Sequence, residues 1–282
     1  MPATETLMNL TDEQVQQFRR DGFVAVRQLY SPAEIKELRE TFMNMAANGP
    51  VEGLSEIKYG GMKDYDPADP LKFYPRMMHP HNHLDKPVGP ISLKYMLHPK
   101  LEPILAELFE EEPVAVQSMF YFKPPGARGQ SLHQDNFYLR VKPGTCMAAW
   151  VAVDDADEEN GGMACVSNTQ SYPIQCPEKS DLTQSFTTEY VAPPEGYQPE
   201  IVNLKAGDVL FFNGNVIHGS GPNNSKTRFR RAFICHYVPR STTELSHWYN
   251  TPYRFNQDLV SIPAATGGGP CGNVEDGQGA PH

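Results

Sequence analysis

The sequence predicts a mainly β protein with flanking helices, its strands folded as a β-sandwich or a jelly-roll barrel. From Val114 onward, short apolar runs recur between turns: "VAVQSMFYFK", "TCMAAWVAV", "GGMACV", "DVLFFNG" and "RRAFICHYV". The N-terminal third has a different character, with helical periodicity and capping signals. At 282 residues, of which 39% are hydrophobic, the chain has ample apolar material for one large core.

Taken in order, "TDEQVQQFRRDGF" opens with Thr11, places Gln14 three residues later and reaches Gly22, which marks a capped helix and its end. "GFVAVRQLY" is short, β-branched and strand-like. "SPAEIKELRETFMNM" repeats the capping logic with Ser31, Pro32 and Glu34, and Ile35, Leu38, Phe42 and Met45 recur at helical spacing toward a core. Residues 50 to 90 are rich in Pro, Gly and His and read as loops, and "HPKLEPILAELFEEEP" reads as a third helix. A single domain is expected over residues 1–262, with a helical part at about 10–112 and the barrel core at about 113–240. The Gly/Pro-rich stretch 263–282 is expected to be a disordered tail.

Composition excludes several functions. A formal charge of -10 and a pI near 5.4 argue against nucleic acid and anionic membrane surfaces, which require clustered Lys and Arg. No run approaches the length of a membrane span, and "MPATETLMNLTDEQ" lacks the order of a signal peptide. Five cysteines without a CxxC pair favour free thiols in a reducing compartment, so a cytoplasmic protein is expected. Oligomeric state is not readable.

The chemistry concentrates in "SLHQDNFYL". If this stretch is a strand, alternation projects His133 and Asp135 together and sends Gln134 to the opposite side. An imidazole and a carboxylate are two ligands of a facial iron site, which needs one more histidine. Among the remaining histidines, His218 stands out, because it follows the apolar strand of "GDVLFFNGNVI" and precedes "GSG". A late strand carrying it could run beside the "HQD" strand. Two histidines and one carboxylate fill one face of an octahedron and leave three positions open. Arg230 follows His218 by twelve residues, and an arginine deep in a barrel requires an anion, for which a planar carboxylate is the matching fork.

"LHQDNFY", "AAWVAVDDADEENGGM" and "HGSGPNNSKTRFRRAF", in this order, resemble the phytanoyl-CoA dioxygenase (PhyH-like) family of Fe(II)/2-oxoglutarate-dependent oxygenases. The opening "LTDEQVQQFRRDGFVAVRQLYS" is similar to the family's N-terminal segment, so the resemblance spans roughly residues 10 to 240. It implies a double-stranded β-helix, the jelly-roll barrel of the cupin kind. It also implies His133, Asp135 and His218 as catalytic metal ligands, Arg230 as the anchor for 2-oxoglutarate, Ser220 as a second contact to the same carboxylate, and Trp150 packed against the co-substrate. Gln117, Met119 and Tyr121, at alternate positions of the preceding strand, match positions that often line the co-substrate pocket. The His-to-Arg interval is one residue longer than usual, which leaves Arg228 and Arg231 as alternatives to Arg230.

The reaction so implied consumes 2-oxoglutarate and O2, releases succinate and CO2, and oxidises an unactivated C–H bond of a small organic substrate, most simply by hydroxylation. Desaturation, epoxidation and rearrangement are its variants within the family. Halogenases of this superfamily lack the carboxylate ligand, so Asp135 argues against halogenation. A secondary-metabolite intermediate is the favoured substrate, with an acyl-CoA hydroxylase or a non-catalytic jelly-roll binding protein as alternatives. "RMMHPHNH" reads as a substrate-covering loop rather than a zinc site, with Arg76 and Lys86 available to an anionic group. "DDADEEN" at 154–160 reads as a solvated turn.

Overall fold

The computed structural model describes residues 9–56, 68–266 and 271. Both capping boxes close. Thr11 accepts from the Gln14 amide and the Gln14 side chain accepts from Thr11 N, opening helix α1 (Asp12–Asp21), which ends at Gly22. Ser31 and Glu34 do the same for α2 (Pro32–Met45), with β1 (Phe23–Val26) between the two helices. The stretch read as loop holds two further elements, β2 (Met77–Met78) and α3 (Val88–Met96). Gly89 and Pro90 disguise α3, yet a proline in the first turn gives up an amide that has no intrahelical partner anyway. The third expected helix is α4 (Leu101–Phe109).

All five apolar runs are strands: β3 (Pro113–Tyr121), β5 (Met147–Ala152), β6 (Met163–Cys165), β10 (Val209–Asn213) and β12 (Ala232–Pro239). Among them lie β4 (Gln130–His133), α5 (Asn136–Leu139), β7 (Glu178–Lys179), β8 (Glu189–Tyr190), β9 (Glu200–Val202) and β11 (His218–Ser220). A six-stranded sheet runs β1-β10-β5-β12-β3-β2, a four-stranded sheet runs β4-β11-β6-β9, and β7 pairs with β8. The pairings are antiparallel, and the two larger sheets stack as an open jelly roll rather than a closed barrel.

The six-stranded sheet is buried on both faces. Ala149, Val151, Phe211, Phe233, Cys235 and Tyr237 pack beneath the helices, where Phe42 of α2 stacks on Phe120 with ring centroids 4.0 Å apart. The alternate residues Met119, Trp150, Phe212 and Ile234 face Met163 and Cys165 of the smaller sheet. β1 belongs to the large sheet through β10, so the helical part and the strand core are interleaved rather than consecutive.

One expectation is corrected here. Cys176 and Cys271 form a disulfide, while Cys146, Cys165 and Cys235 are free and buried. The two partners lie 95 residues apart, a separation that carries no pairing signal, and with one bridge formed the cysteine count no longer argues for a reducing compartment. The tail is anchored where it starts, because Leu245 N bonds Pro263 O and Ala265 N bonds Leu245 O; residues 267–270 and 272–282 lie outside the described residues. Among the described residues no helix is long and apolar enough to cross a membrane.

Candidate active site

β11 pairs antiparallel with β4 so that His218 stands directly opposite His133. Gly219 makes that approach possible: a Cβ there would lie 2.8 Å from the Gln130 carbonyl oxygen and 3.0 Å from Leu132 N. β4 stops at His133. Asp135 therefore does not share a strand with it, as alternation suggested, but sits in helical conformation at the head of α5, with Tyr138 N and Leu139 N bonding its carbonyl. Gln134 still points away, toward Asn215 O and Gln175 N.

The result is a convergent set. One ligand atom from each of His133, Asp135 and His218 lies within 4.8 Å of the others, and all three residues are buried. Asp135 Oδ1 is 3.4 Å from His133 Nε2 and 3.5 Å from His218 Nε2. The opposite ring nitrogens are committed, His133 Nδ1 donating to Ser131 O at 2.7 Å and His218 Nδ1 to Val216 O at 2.9 Å. Those bonds fix the tautomers and leave both Nε2 lone pairs aimed at the centre. Burial and the neighbouring His218 push the His133 pKa down, which keeps it neutral as a ligand. Burial alone would push the Asp135 carboxyl up, but the surrounding His218, His236 and His133 hold it well below the usual range, so it is an anion. Two neutral imidazoles and one carboxylate on one side of an open cavity fit a divalent iron.

The far end of the same cavity is cationic. Arg230 is buried, its Nε donating to Gly161 O at 3.0 Å and its guanidinium lying 5.3 Å from the Trp150 ring centroid. Lys123, also buried, donates to Gly161 O, to Ser220 Oγ at 2.8 Å and to Gly221 O at 2.6 Å. Burial pulls the Arg230 pKa down to about 10, and burial with Arg230 nearby pulls Lys123 well below its ordinary value. Among the described residues neither cation has a carboxylate within ion-pair distance. Gly161, at φ 73° in the "NGG" turn, brings the shared carbonyl close; a Cβ there would sit 2.4 Å from Gly221 O and 3.0 Å from Lys123 Nζ. Ser220 Oγ accepts from Lys123 and, at 3.5 Å, from Arg230, so its own proton is left to donate into the cavity.

The acidic run settles which arginine is available. Asp154 holds Arg231 through both carboxylate oxygens, and Asp157 with Glu159 holds Arg228. "DDADEEN" is thus not simply solvated; it neutralises the two flanking arginines and leaves Arg230 facing inward. These arginines precede β12, so strand alternation does not govern them.

Met119, Tyr121, Trp150, Ser220 and Arg230 line the cavity of about 380 Å³ together with the triad. Gln117 does not; it is buried opposite His236 in the β3–β12 register. The histidine loop is not a lid over the site. His79 N bonds Ser118 O, His81 Nδ1 lies 2.7 Å from Ser118 Oγ, and none of His79, His81 and His83 reaches the cavity lining. Arg76 is matched by Glu56 and bonds the Tyr121 hydroxyl, and Lys86 pairs with Asp85. His236, Gln130, Met163 and Phe212 line the cavity and Lys123 stands behind Ser220; the sequence reading missed all five. His236 continues the parity of Ala232 and Ile234 along β12, the one available signal for it, while Lys123 lies beyond the end of β3.

The family model for phytanoyl-CoA dioxygenase (PhyH) matches residues 18–232, which include the triad and Arg230. The chain belongs to this family. Phytanoyl-CoA dioxygenase domain-containing protein 1 of Danio rerio is 25% identical over 268 residues, covering 83% of this chain and 92% of that protein. The peroxisomal phytanoyl-CoA dioxygenase of Mus musculus is 24% identical over 247 residues, covering 81% and 68%. Among solved structures, the non-heme alpha-ketoglutarate-dependent carbocyclase SnoK from nogalamycin biosynthesis aligns with a TM-score of 0.65 at 21% identity, covering 83% and 86% of the two chains. The epimerase SnoN in complex with Fe3+, alpha ketoglutarate and nogalamycin RO aligns at 0.63 and 19%, covering 91% and 95%. Both share the jelly-roll fold with this phytanoyl-CoA dioxygenase family member.

Proposed function

We propose that this family member, an Fe(II)/2-oxoglutarate-dependent dioxygenase, hydroxylates an unactivated C–H bond of a small organic molecule, a secondary-metabolite intermediate, with release of succinate and CO2. One observation carries the reading: a buried two-histidine, one-carboxylate face and the buried Arg230 guanidinium, which has no carboxylate within ion-pair distance among the described residues, share one cavity. His133, Asp135 and His218 would hold Fe(II), which when bound activates dioxygen at the positions the protein leaves open. Arg230 takes the distal carboxylate of 2-oxoglutarate as a charge-assisted pair, the Ser220 hydroxyl donates to it, and Lys123 adds positive potential while fixing the direction of that hydroxyl. Trp150 stacks beneath the guanidinium and keeps water from it. Met119, Met163, Phe212 and Ile234 supply apolar walls, and an adjoining cavity of about 440 Å³ with Tyr74, Phe122 and Phe186 in its walls meets the first at Tyr121. Glu56, Arg76, Lys123 and Arg128 share those walls, so that second space suits a substrate with both an aromatic-facing body and polar groups.

The test is anaerobic addition of Fe(II) and 2-oxoglutarate. A weak visible metal-to-ligand charge-transfer band is expected, followed on oxygenation by succinate formation that a panel of small metabolites stimulates. Folded protein that gives neither the band nor succinate overturns the proposal. A panel in which acyl-CoA thioesters alone stimulate turnover overturns the substrate class and leaves the chemistry.

A further inference from the structure

His236 lies on β12 opposite Gln117 of β3 and Ala148 of β5, fully within the sheet stack and 1% exposed. Its Nε2 is 2.9 Å from Asp135 Oδ2. A 2.9 Å contact between an imidazole nitrogen and a carboxylate oxygen needs a proton between them, and an Nε2–H that donates to Oδ2 supplies it. Nδ1 of the same ring is buried with no hydrogen-bond partner among the described residues. An orphaned buried polar atom costs stability. The fold tolerates it in a ring whose other nitrogen is committed to the carboxylate.

The two oxygens of Asp135 therefore have separate tasks. Oδ1 faces His133 Nε2 and His218 Nε2, the side where a metal fits, while Oδ2 is turned away and tied to β12. A carboxylate free to rotate could close on a metal through both oxygens and take up a fourth position. We propose that His236 is a positioning residue that locks Asp135 as a one-oxygen ligand, so that three positions stay open for co-substrate and dioxygen. This rests on the iron reading above and adds to it the device that sets how many positions the protein occupies. The need is for a donor at the Nε2 position, not for an imidazole as such.

Glutamine and asparagine separate these requirements, because a Gln amide nitrogen reaches the place of Nε2 and an Asn amide stops at the place of Nδ1. His236→Gln, His236→Asn and His236→Leu are compared with the parent protein by anaerobic Fe(II) titration and by the ligand-field spectrum of the Co(II)-loaded form, with thermal melting to certify folding. The expected result is that Asn and Leu weaken metal affinity by roughly 10- to 100-fold and alter the Co(II) spectrum, while Gln stays within a few-fold of the parent with the parent's spectrum. Should the Leu variant not fold, the Gln and Asn pair, equal in polarity and different in reach, carries the comparison. Asn binding as tightly as the parent with an unchanged spectrum overturns the proposal, and so does equal loss in Gln and Asn. A parent protein that binds neither metal instead overturns the iron reading itself.

Discussion

On the proposed binding mode, removing the Arg230 guanidinium would leave the distal carboxylate of 2-oxoglutarate with Ser220 as its remaining partner in the cavity wall. Truncating one partner of a buried, hydrogen-bonded charge pair costs about 2–5 kcal/mol, so Arg230→Gln is expected to raise the 2-oxoglutarate concentration needed for half-maximal charge-transfer absorbance by roughly 30-fold or more. Arg228→Gln, which strips a surface pair with Asp157 and Glu159, is expected to leave that midpoint unchanged. His133→Ala and Asp135→Ala each remove a ligand and are expected to abolish succinate formation in protein that still melts cooperatively; full activity in either would overturn the ligand assignment. The triad was legible because ligand chemistry resides in residue type, and few side chains bind iron. Arg230 could be told from its neighbours only in three dimensions, since Asp154, Asp157 and Glu159 silence those neighbours across a turn. Lys123 was illegible because a lysine before Pro-Pro-Gly reads as a loop residue, and it does lie beyond the end of β3.

Among the elements, the β4–β11 pair bears the two histidines of the triad, and its spacing hangs on Gly219. Gly219→Ala would press a methyl onto the Gln130 carbonyl and Leu132 N, forcing the strands apart and carrying His218 away from His133. Overpacking of this kind costs about 1–3 kcal/mol. The expected outcome is a lowered melting temperature together with weakened Fe(II) binding, both read in one anaerobic titration series. Strong strands and capped helices were readable because alternation and capping are local, as in β12 and α2. The stretch after His133 was misread for an equally local reason. Asn136 competes for a backbone partner, its Oδ1 accepting from Val141 N, and so helps turn the chain into α5 where the apolar pattern suggested more strand. α3 was hidden by Gly-Pro at its start.

Across the whole molecule, the helical layer and the site share one sheet. Phe42 is fully buried against Phe120, and Phe42→Ala is expected to cost about 3–5 kcal/mol, measured as a denaturant midpoint shift with the charge-transfer band of the remaining folded protein unaltered. Sheet order, the long-range disulfide and the burial of His81 depend on contacts between distant segments, which no local window of sequence contains. The strand parity has a practical consequence. Along β12, Phe233, Cys235 and Tyr237 serve the scaffold, whereas Ile234 and His236 look into the chemistry. A gene library that randomises only codon 234 would explore new specificities with the helical layer left intact, so evolving this enzyme need not begin by destabilising it.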